Sequence, residues 1–288
     1  MATGNAIHIG ATASSLPELG LSSSSRSTHL HIVGSTGSGK SKFLEHLIRQ
    51  DIMSNRKSGC GMLLIDPHGS LYDSLISWLA FHDLNRPIIP IDLRRDDAVI
   101  AYNVLRKRVK ADPAVVVDSI VDAVAHVWGA PNTDATPRLA RWMGNITRAL
   151  YDKSLTLVEA LHLIGDDPEL QRFLTAGVTD AMTDRDWKLA SNMKPREFED
   201  EIGSSVSRLR RFIASSRLRL MFGQSAESLD LRVALDSGAI VLVSLARQHG
   251  NISKENADLF ATLLMSDLWI AAQERGKSDA NRPFYVYI

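Results

Sequence analysis

Apolar residues return along this chain at two spacings, and the switches between them outline the fold. Leu30, Ile32 and Val33 form a short run that stops at Gly34, and Phe43 to Ile52 continues at helical spacing. Gly61 to Ile65 is a second uninterrupted run, closed by Asp66-Pro67-His68-Gly69. Ser70 then caps a helix through Leu71, Leu75, Ile76 and Leu79, and Pro87 to Ile91 is a third short run ending in Asp92. Alternating strand and helix predicts the opening of a parallel sheet with helices on its faces.

From Asp112 to about Ser216 the spacing is helical throughout. Asp112-Pro113 supplies an N-cap and a first-turn proline ahead of Val116, Ile120, Ala123 and Val127. Leu139, Trp142, Met143, Ile146 and Leu150 repeat the pattern, and Thr156-Leu-Val-Glu159 is a capping box before Leu161 and Ile164, with Gly165 as a stop. Asp167-Pro168 starts a further short helix that closes near Gly177. Strand character returns at Ala239 to Leu245, followed by a helix from about Ser253 to Glu274 and a final run Phe284 to Ile288. The expected division is an irregular lead-in over 1–28, a first core part over 29–111, a helical insertion over 112–216 and a second core part over 217–288. No internal repeat is apparent.

Composition narrows the class without naming a function. The chain has 288 residues, 44% hydrophobic and 23% charged, which suits a globular protein with a sizeable core. No apolar run approaches the ~20 residues needed to cross a bilayer, and the N-terminus lacks a basic start followed by an apolar block, so a cytoplasmic protein is expected. The single cysteine, Cys60, can form no internal disulfide and reads as a small core or edge residue. Lys plus Arg equals Asp plus Glu at 33 each, so no global field attracts nucleic acid. The local exception is Arg208, Arg210, Arg211, Arg217 and Arg219, which a solvated helix face would also explain.

Gly34-Ser35-Thr36-Gly37-Ser38-Gly39-Lys40-Ser41 is a complete Gly-x-x-x-x-Gly-Lys-Ser loop between an apolar run and a helix. A polyphosphate needs several backbone N–H donors converging on its oxygens, and the three glycines allow the backbone to curl and approach closely. The following helix adds its N-terminal dipole, Lys40 offers an ammonium to the β and γ phosphates of ATP, and the Ser41 hydroxyl can ligate Mg²⁺. A chance match in a chain of this length is expected about once in a hundred.

Asp66 stands at the C-terminal end of the second strand, the edge where open α/β sheets bind ligands. It can hold a Mg²⁺-bound water, or it can belong to a tight turn, since Asp, Pro and Gly all form turns; the residues leave both readings open. His68 reads as a turn residue. In hydrolytic P-loop proteins a later strand ends in an Asp for Mg²⁺, and motor types add a Glu that activates water. Phe284 to Ile288 has the apolar run but no such pair follows, and no other strand end offers one. The expectation is therefore a fragment whose acidic pair is cut off.

With these pieces in order, the chain resembles the HerA/FtsK-type ATPases, especially those of conjugative elements and type IV secretion, including TraG/TraD-like coupling proteins. Besides the loop and Leu64-Ile-Asp-Pro-His-Gly69, the resemblance rests on Arg26-Ser-Thr-His29, Ala101-Tyr-Asn-Val-Leu105, Ser228-Leu-Asp-Leu-Arg232 and Arg282-Pro-Phe-Tyr-Val-Tyr-Ile288. Relatives tend to carry Phe-Asn-Pro-Leu at the second of these, where this chain has Val104 in place of the proline. The resemblance implies a RecA-like P-loop NTPase with a mostly parallel sheet flanked by helices and an all-α insertion. It further implies an ATP-driven DNA translocase, assembled as a homo-oligomeric and usually hexameric ring. Relaxosome or secretion-channel proteins would be further partners, recruiting it to the inner membrane. Such rings often complete each ATP site with an arginine from the neighbouring subunit, and Arg211 and Arg219, which stand where relatives often keep arginines, are the candidates for it. Two other readings stay open: a secretion or pilus-assembly ATPase that does not act on DNA, and a non-catalytic nucleotide-binding module.

Overall fold

A strand buried on both faces has no polar position to spare, and the apolar run Gly61–Asp66 becomes such a strand, with every residue buried. A computed structural model describes residues 7–10, 19–26, 28–54, 60–95, 97–128, 136–163, 167–225, 229–247, 252–276 and 282–288. Two strands and a single turn of helix come first: β1 (Ile7–Gly10), β2 (Leu19–Leu21) and α1 (Ser23–Arg26). Then follow α2 (Lys40–Ser54), β3 (Gly61–Asp66), α3 (Ser70–Leu79) and β4 (Ile88–Asp92). The helical stretch holds α4 (Pro113–Trp128), α5 (Thr136–Asp152), a 3₁₀ helix over Leu157–Leu163, α6 (Pro168–Thr175), α7 (Ala181–Ala190), α8 (Pro195–Ile213) and α9 (Ser216–Phe222). The chain closes with α10 (Leu231–Ser237), β5 (Ile240–Ser244), α11 (Lys254–Arg275) and β6 (Phe284–Tyr287). Ile164 and Gly165, read as a helix end, and Ser228 lie outside the described residues.

The chain groups into two units, Met1–Ile91 with Val233–Ala246 and Lys277–Ile288, and Asp92–Arg232 with Arg247–Gly276. The first holds a sheet in the order β4-β5-β3-β6. β3 pairs in parallel with β5, Leu64 opposite Leu242, and with β6, Leu63 opposite Val286. Met62 and Leu64 of β3, Ile240 and Leu242 of β5 and Tyr287 of β6 share a core with Leu47, Ile48 and Ile52 of α2 and Leu71, Leu75 and Leu79 of α3. The fold is thus the α/β arrangement of parallel strands and flanking helices that the residue pattern predicts.

Two N-terminal segments differ from expectation. The lead-in is not irregular throughout, because β1 and β2 pair antiparallel, Ile7 opposite Leu21, and Ile7 reaches the core beside α2. A four-residue strand of Ile-His-Ile-Gly is too short to show a period. The run Leu30 to Val33 forms no strand: Leu30 is 50% and Val33 82% exposed, and only Ile32 packs on the core. His29 just before it adopts a positive φ of 69°, which breaks the extended path into the run.

The second unit is helical. α4 packs against α5 and α11, and α5 also meets α7 and α8. Trp142 and Trp187 meet edge to face at 5.2 Å, and Phe212, Phe222, Tyr102 and Phe260 form a chain of T-shaped contacts. Of the capping box at Thr156 one half forms, the Glu159 carboxylate accepting from both the Thr156 N–H and its hydroxyl, while the hydroxyl accepts from the Val158 N–H and the turn opens a 3₁₀ helix. Among the described residues no helix is long and apolar enough to cross a membrane.

Candidate nucleotide site

α2 starts at Lys40, so the loop Gly34 to Gly39 delivers the chain into a helix N-terminus, where backbone N–H groups and the dipole favour an anion. Gly37 and Gly39 have φ of 82° and 92°, the left-handed region that side chains avoid, and a Cβ on either would meet nothing within 4 Å. At Gly34 the space is tighter, since a Cβ there would sit 2.5 Å from the Ser38 Oγ, and that hydroxyl would have to turn away. Residues 33–39 and Ser41 are all exposed.

Lys40 turns back on the loop, its Nζ donating to the Gly34 and Ser35 carbonyls at 2.7 and 2.8 Å. The Ser38 N–H donates to the Ser35 carbonyl at 3.2 Å and the Phe43 N–H to the Gly39 carbonyl at 2.9 Å, closing the first helical turn. The loop's donors and ammonium suit a polyphosphate. The exposed hydroxyl of Ser41, next to Lys40 at the start of α2, is an oxygen donor of the kind a Mg²⁺ carried on phosphate oxygens accepts.

The helix behind the loop is fixed at both ends. Near its start, Glu45 is buried and accepts from Lys42 Nζ at 2.8 Å and from the Ser74 hydroxyl at 2.6 Å, with Arg49 as a further ion-pair partner. Burial pushes the Glu45 carboxyl upward, but the bonds from Lys42 and Ser74 and the charge of Arg49 outweigh it and hold its pKa below the ordinary 4.5. Near its end, Asp51 is 4% exposed and takes both guanidinium nitrogens of Arg26 and the Tyr287 hydroxyl. Arg26 also lies 4.0 Å from the centre of the Tyr285 ring. Burial drives the Tyr287 phenol well above its usual range, and the Asp51 carboxylate adds to the shift. The i,i+3 and i,i+4 spacing of Lys42, Glu45 and Arg49 was a readable signal for the first clamp. The second had none, because its partners come from three remote segments.

Asp66 ends β3 as predicted, and its carboxylate is already engaged. Oδ1 accepts from the His68 N–H at 2.9 Å, and Oδ2 from the Leu71 and Tyr72 N–H groups at 2.8 and 2.9 Å. Of the two sequence readings, this geometry favours the turn: Asp66 caps the N-terminus of α3, where a negative charge also suits the dipole. Ser244, fully buried opposite Asp66 at the end of β5, shares this edge; nothing in the sequence singled it out.

The arginine cluster separates on folding. Arg217 is buried and donates to the Asp92 carbonyl at 3.1 Å, and Arg208 donates to the Ser204 carbonyl at 3.0 Å. Arg211 stands out from α8, 60% exposed, with Glu255 at 3.7 Å. Arg219 is exposed on α9, with one nitrogen 3.5 Å from the Ile213 carbonyl. Arg210 is exposed as well.

Comparison with known proteins agrees with this geometry. Residues 7–268 match the family described as Helicase HerA, central domain. Among solved structures, a bacterial conjugative coupling protein, TrwBdeltaN70, crystallised in complex with sulphate, superposes with a TM-score of 0.52 at 15% identity. The match covers 88% of this chain and 55% of that one, so the chain spans little more than half the length of this relative. No curated protein matches it. A phosphate loop leading into a helix beside a parallel sheet, together with a family match over most of the length, places the chain in the HerA helicase central-domain family of P-loop ATPases.

Proposed function

We propose that this chain binds ATP with Mg²⁺ at Gly34 to Ser41 and is the nucleotide-binding part of an ATP-driven DNA translocase of the conjugative coupling type. The observation that carries the reading is the loop itself: Gly37 and Gly39 open its backbone, and the Lys40 ammonium rests on the Gly34 and Ser35 carbonyls, which a phosphate can displace. Ser41 supplies the protein's ligand to the metal. Membership of the HerA family and the likeness to a conjugative coupling protein support DNA as the cargo. A homo-oligomeric ring, hexameric in this reading, would let exposed Arg211 or Arg219 reach a neighbour's nucleotide.

Titration with a fluorescent ATP analogue and Mg²⁺ tests the site. Lys40→Ala should weaken binding by about 10- to 100-fold, the loss of one charge-assisted contact. Undiminished binding would remove the assignment. For DNA, a filter-binding or anisotropy titration against single- and double-stranded oligonucleotides should show affinity falling steeply with salt; no binding to either at low salt would count against the translocase. A second reading is nucleotide binding without turnover by this polypeptide, and the engagement of both Asp66 oxygens by backbone N–H groups favours it. Release of inorganic phosphate at a rate above the Lys40→Ala background would exclude that reading.

A further inference from the structure

The helical unit holds a cavity that the nucleotide reading does not use. α6 and α7 both pack on α5, and α6 and α8 both pack on the 3₁₀ helix, yet between them lies a space of about 470 Å³. Cavities of this size suit small organic ligands. Leu163, Trp187 and Ala190, all buried, line it, with half-buried Met193 and Phe198 beside them. α6 adds little cover, because Leu174 is the only residue that this helix buries.

The neutral polar atoms of the wall are already engaged. Trp187 Nε1 donates to the Asn145 carbonyl at 3.3 Å, which leaves ring carbons for the cavity, and the ring is steadied by Trp142 at 5.2 Å and Phe198 at 6.5 Å. Gln171 Nε2 donates to the Leu163 carbonyl, Thr175 Oγ1 to the Gln171 carbonyl and Ser191 Oγ to the Lys188 carbonyl. The lining's two charges stand at exposed positions, Arg172 on α6 and Glu199 on α8. Arg172 Nε donates to the Pro168 carbonyl of its own helix at 3.2 Å, and neither residue has an ion-pair partner among the described residues.

Opposite charges on two helices beside one apolar cavity complement a small molecule that carries both charges and an apolar tail. We infer that this cavity binds a free α-amino acid with a large apolar side chain, its carboxylate on Arg172, its ammonium on Glu199 and its side chain against Trp187, Phe198 and Met193. A guanidinium fork matches a carboxylate, and a carboxylate accepts from a primary ammonium. An uncharged apolar molecule would engage neither charge. A nucleic acid would be repelled by Glu197, Glu199, Asp200 and Glu201 at the start of α8. The site rests on no property of the phosphate loop, so its failure leaves the nucleotide reading untouched.

Isothermal titration calorimetry on the full chain, with L-phenylalanine and L-leucine as probes, tests the site. Both should bind with a Kd on the order of 10–100 µM, and L-alanine about tenfold more weakly or worse. Blocked derivatives separate the charges. N-acetyl-L-phenylalanine keeps only the carboxylate, as the last residue of a peptide does, and L-phenylalaninamide keeps only the ammonium, as the first residue does. Each should bind about tenfold more weakly than L-phenylalanine. Arg172 and Glu199 are exposed, so replacing them leaves the helices packed. Arg172→Gln should weaken L-phenylalanine about tenfold and leave the amide unchanged, while Glu199→Gln should do the same and leave the N-acetyl derivative unchanged. No binding of either amino acid up to about 10 mM would overturn the site. Binding that neither substitution alters would place the ligand elsewhere, and a blocked derivative that binds as tightly as L-phenylalanine would overturn the free amino acid in favour of a peptide end.

Discussion

Asp66→Ala separates the two roles that a carboxylate at the end of β3 can play. The side chain is buried and accepts from three backbone N–H groups, of which those of Leu71 and Tyr72 are buried with it. Truncation leaves these two donors without an acceptor, each worth about 1–3 kcal/mol, while water can serve the outer donor at His68. Loss of the charge at the start of α3 adds about 0.3–1 kcal/mol. Allowing for partial water entry, the expected loss is about 3 kcal/mol. Asp66→Asn keeps an oxygen for Leu71 and Tyr72 and should lose about 1–2 kcal/mol, mostly from the charge and the His68 contact. Urea unfolding followed by circular dichroism, with Mg-ATP titration of each variant while folded, reads stability and binding separately. An Asp66→Ala chain that unfolds at the wild-type urea concentration but no longer binds Mg-ATP would refute the capping role and put this carboxylate on the metal.

Three further outcomes follow from the packing. Since the folded pKa of Glu45 lies below its unfolded value of 4.5, its contribution should be fully present above that pH and vanish as pH falls through the lower folded value. Thermal unfolding of Glu45→Gln against wild type should show a gap of about 1–2 kcal/mol at neutral pH that closes in acid; a gap independent of pH would contradict the clamp. Gly61→Ala places a Cβ 2.5 and 2.6 Å from ring carbons of Phe284 and 3.0 Å from the Ala239 carbonyl, so β6 must shift, at about 1–3 kcal/mol in urea unfolding; a neutral result would mean that β6 does not pack there. Arg108 is 3% exposed and pairs with Asp267 and with Glu274 at 3.4 Å, so Arg108→Met, which takes the cation from two largely buried carboxylates and leaves them only the Tyr102 hydroxyl and the Lys110 and Ala111 N–H groups, should cost about 3 kcal/mol. Equal melting temperatures for Arg108→Met and wild type would refute that pairing.

Features set by local chemistry were legible in the sequence, and features set by distant partners were not. The loop could be read because each position has its own task, and the reading places α2 at Lys40. β3, α3, α4, β5 and α11 fall within a residue or two of their predicted limits, since long apolar runs and caps such as Asp112-Pro113 and Ser253 mark them. The run Leu30 to Val33 has strand composition but pairs with no strand among the described residues, and composition does not fix pairing. The five arginines look alike in sequence, yet Arg217 is a buried structural donor and Arg211 a solvent-facing one. Arg26, Asp51 and Tyr287 meet only because three segments converge, and a periodicity argument cannot anticipate that.

The strand order has a cost during synthesis. β3 lies between β5 and β6, both made long after it, and it carries the apolar run Met62 to Ile65. At about 5–20 residues per second, this run leaves the ribosome and waits of order ten seconds or more for Ile240–Ser244. Through that interval α2 and α3 can cover one side of it, while both edges of β3 stay unpaired among other nascent chains. Yield in a cell is therefore expected to depend on chaperones that hold the first part of the chain, and to fall when translation stalls within the helical stretch.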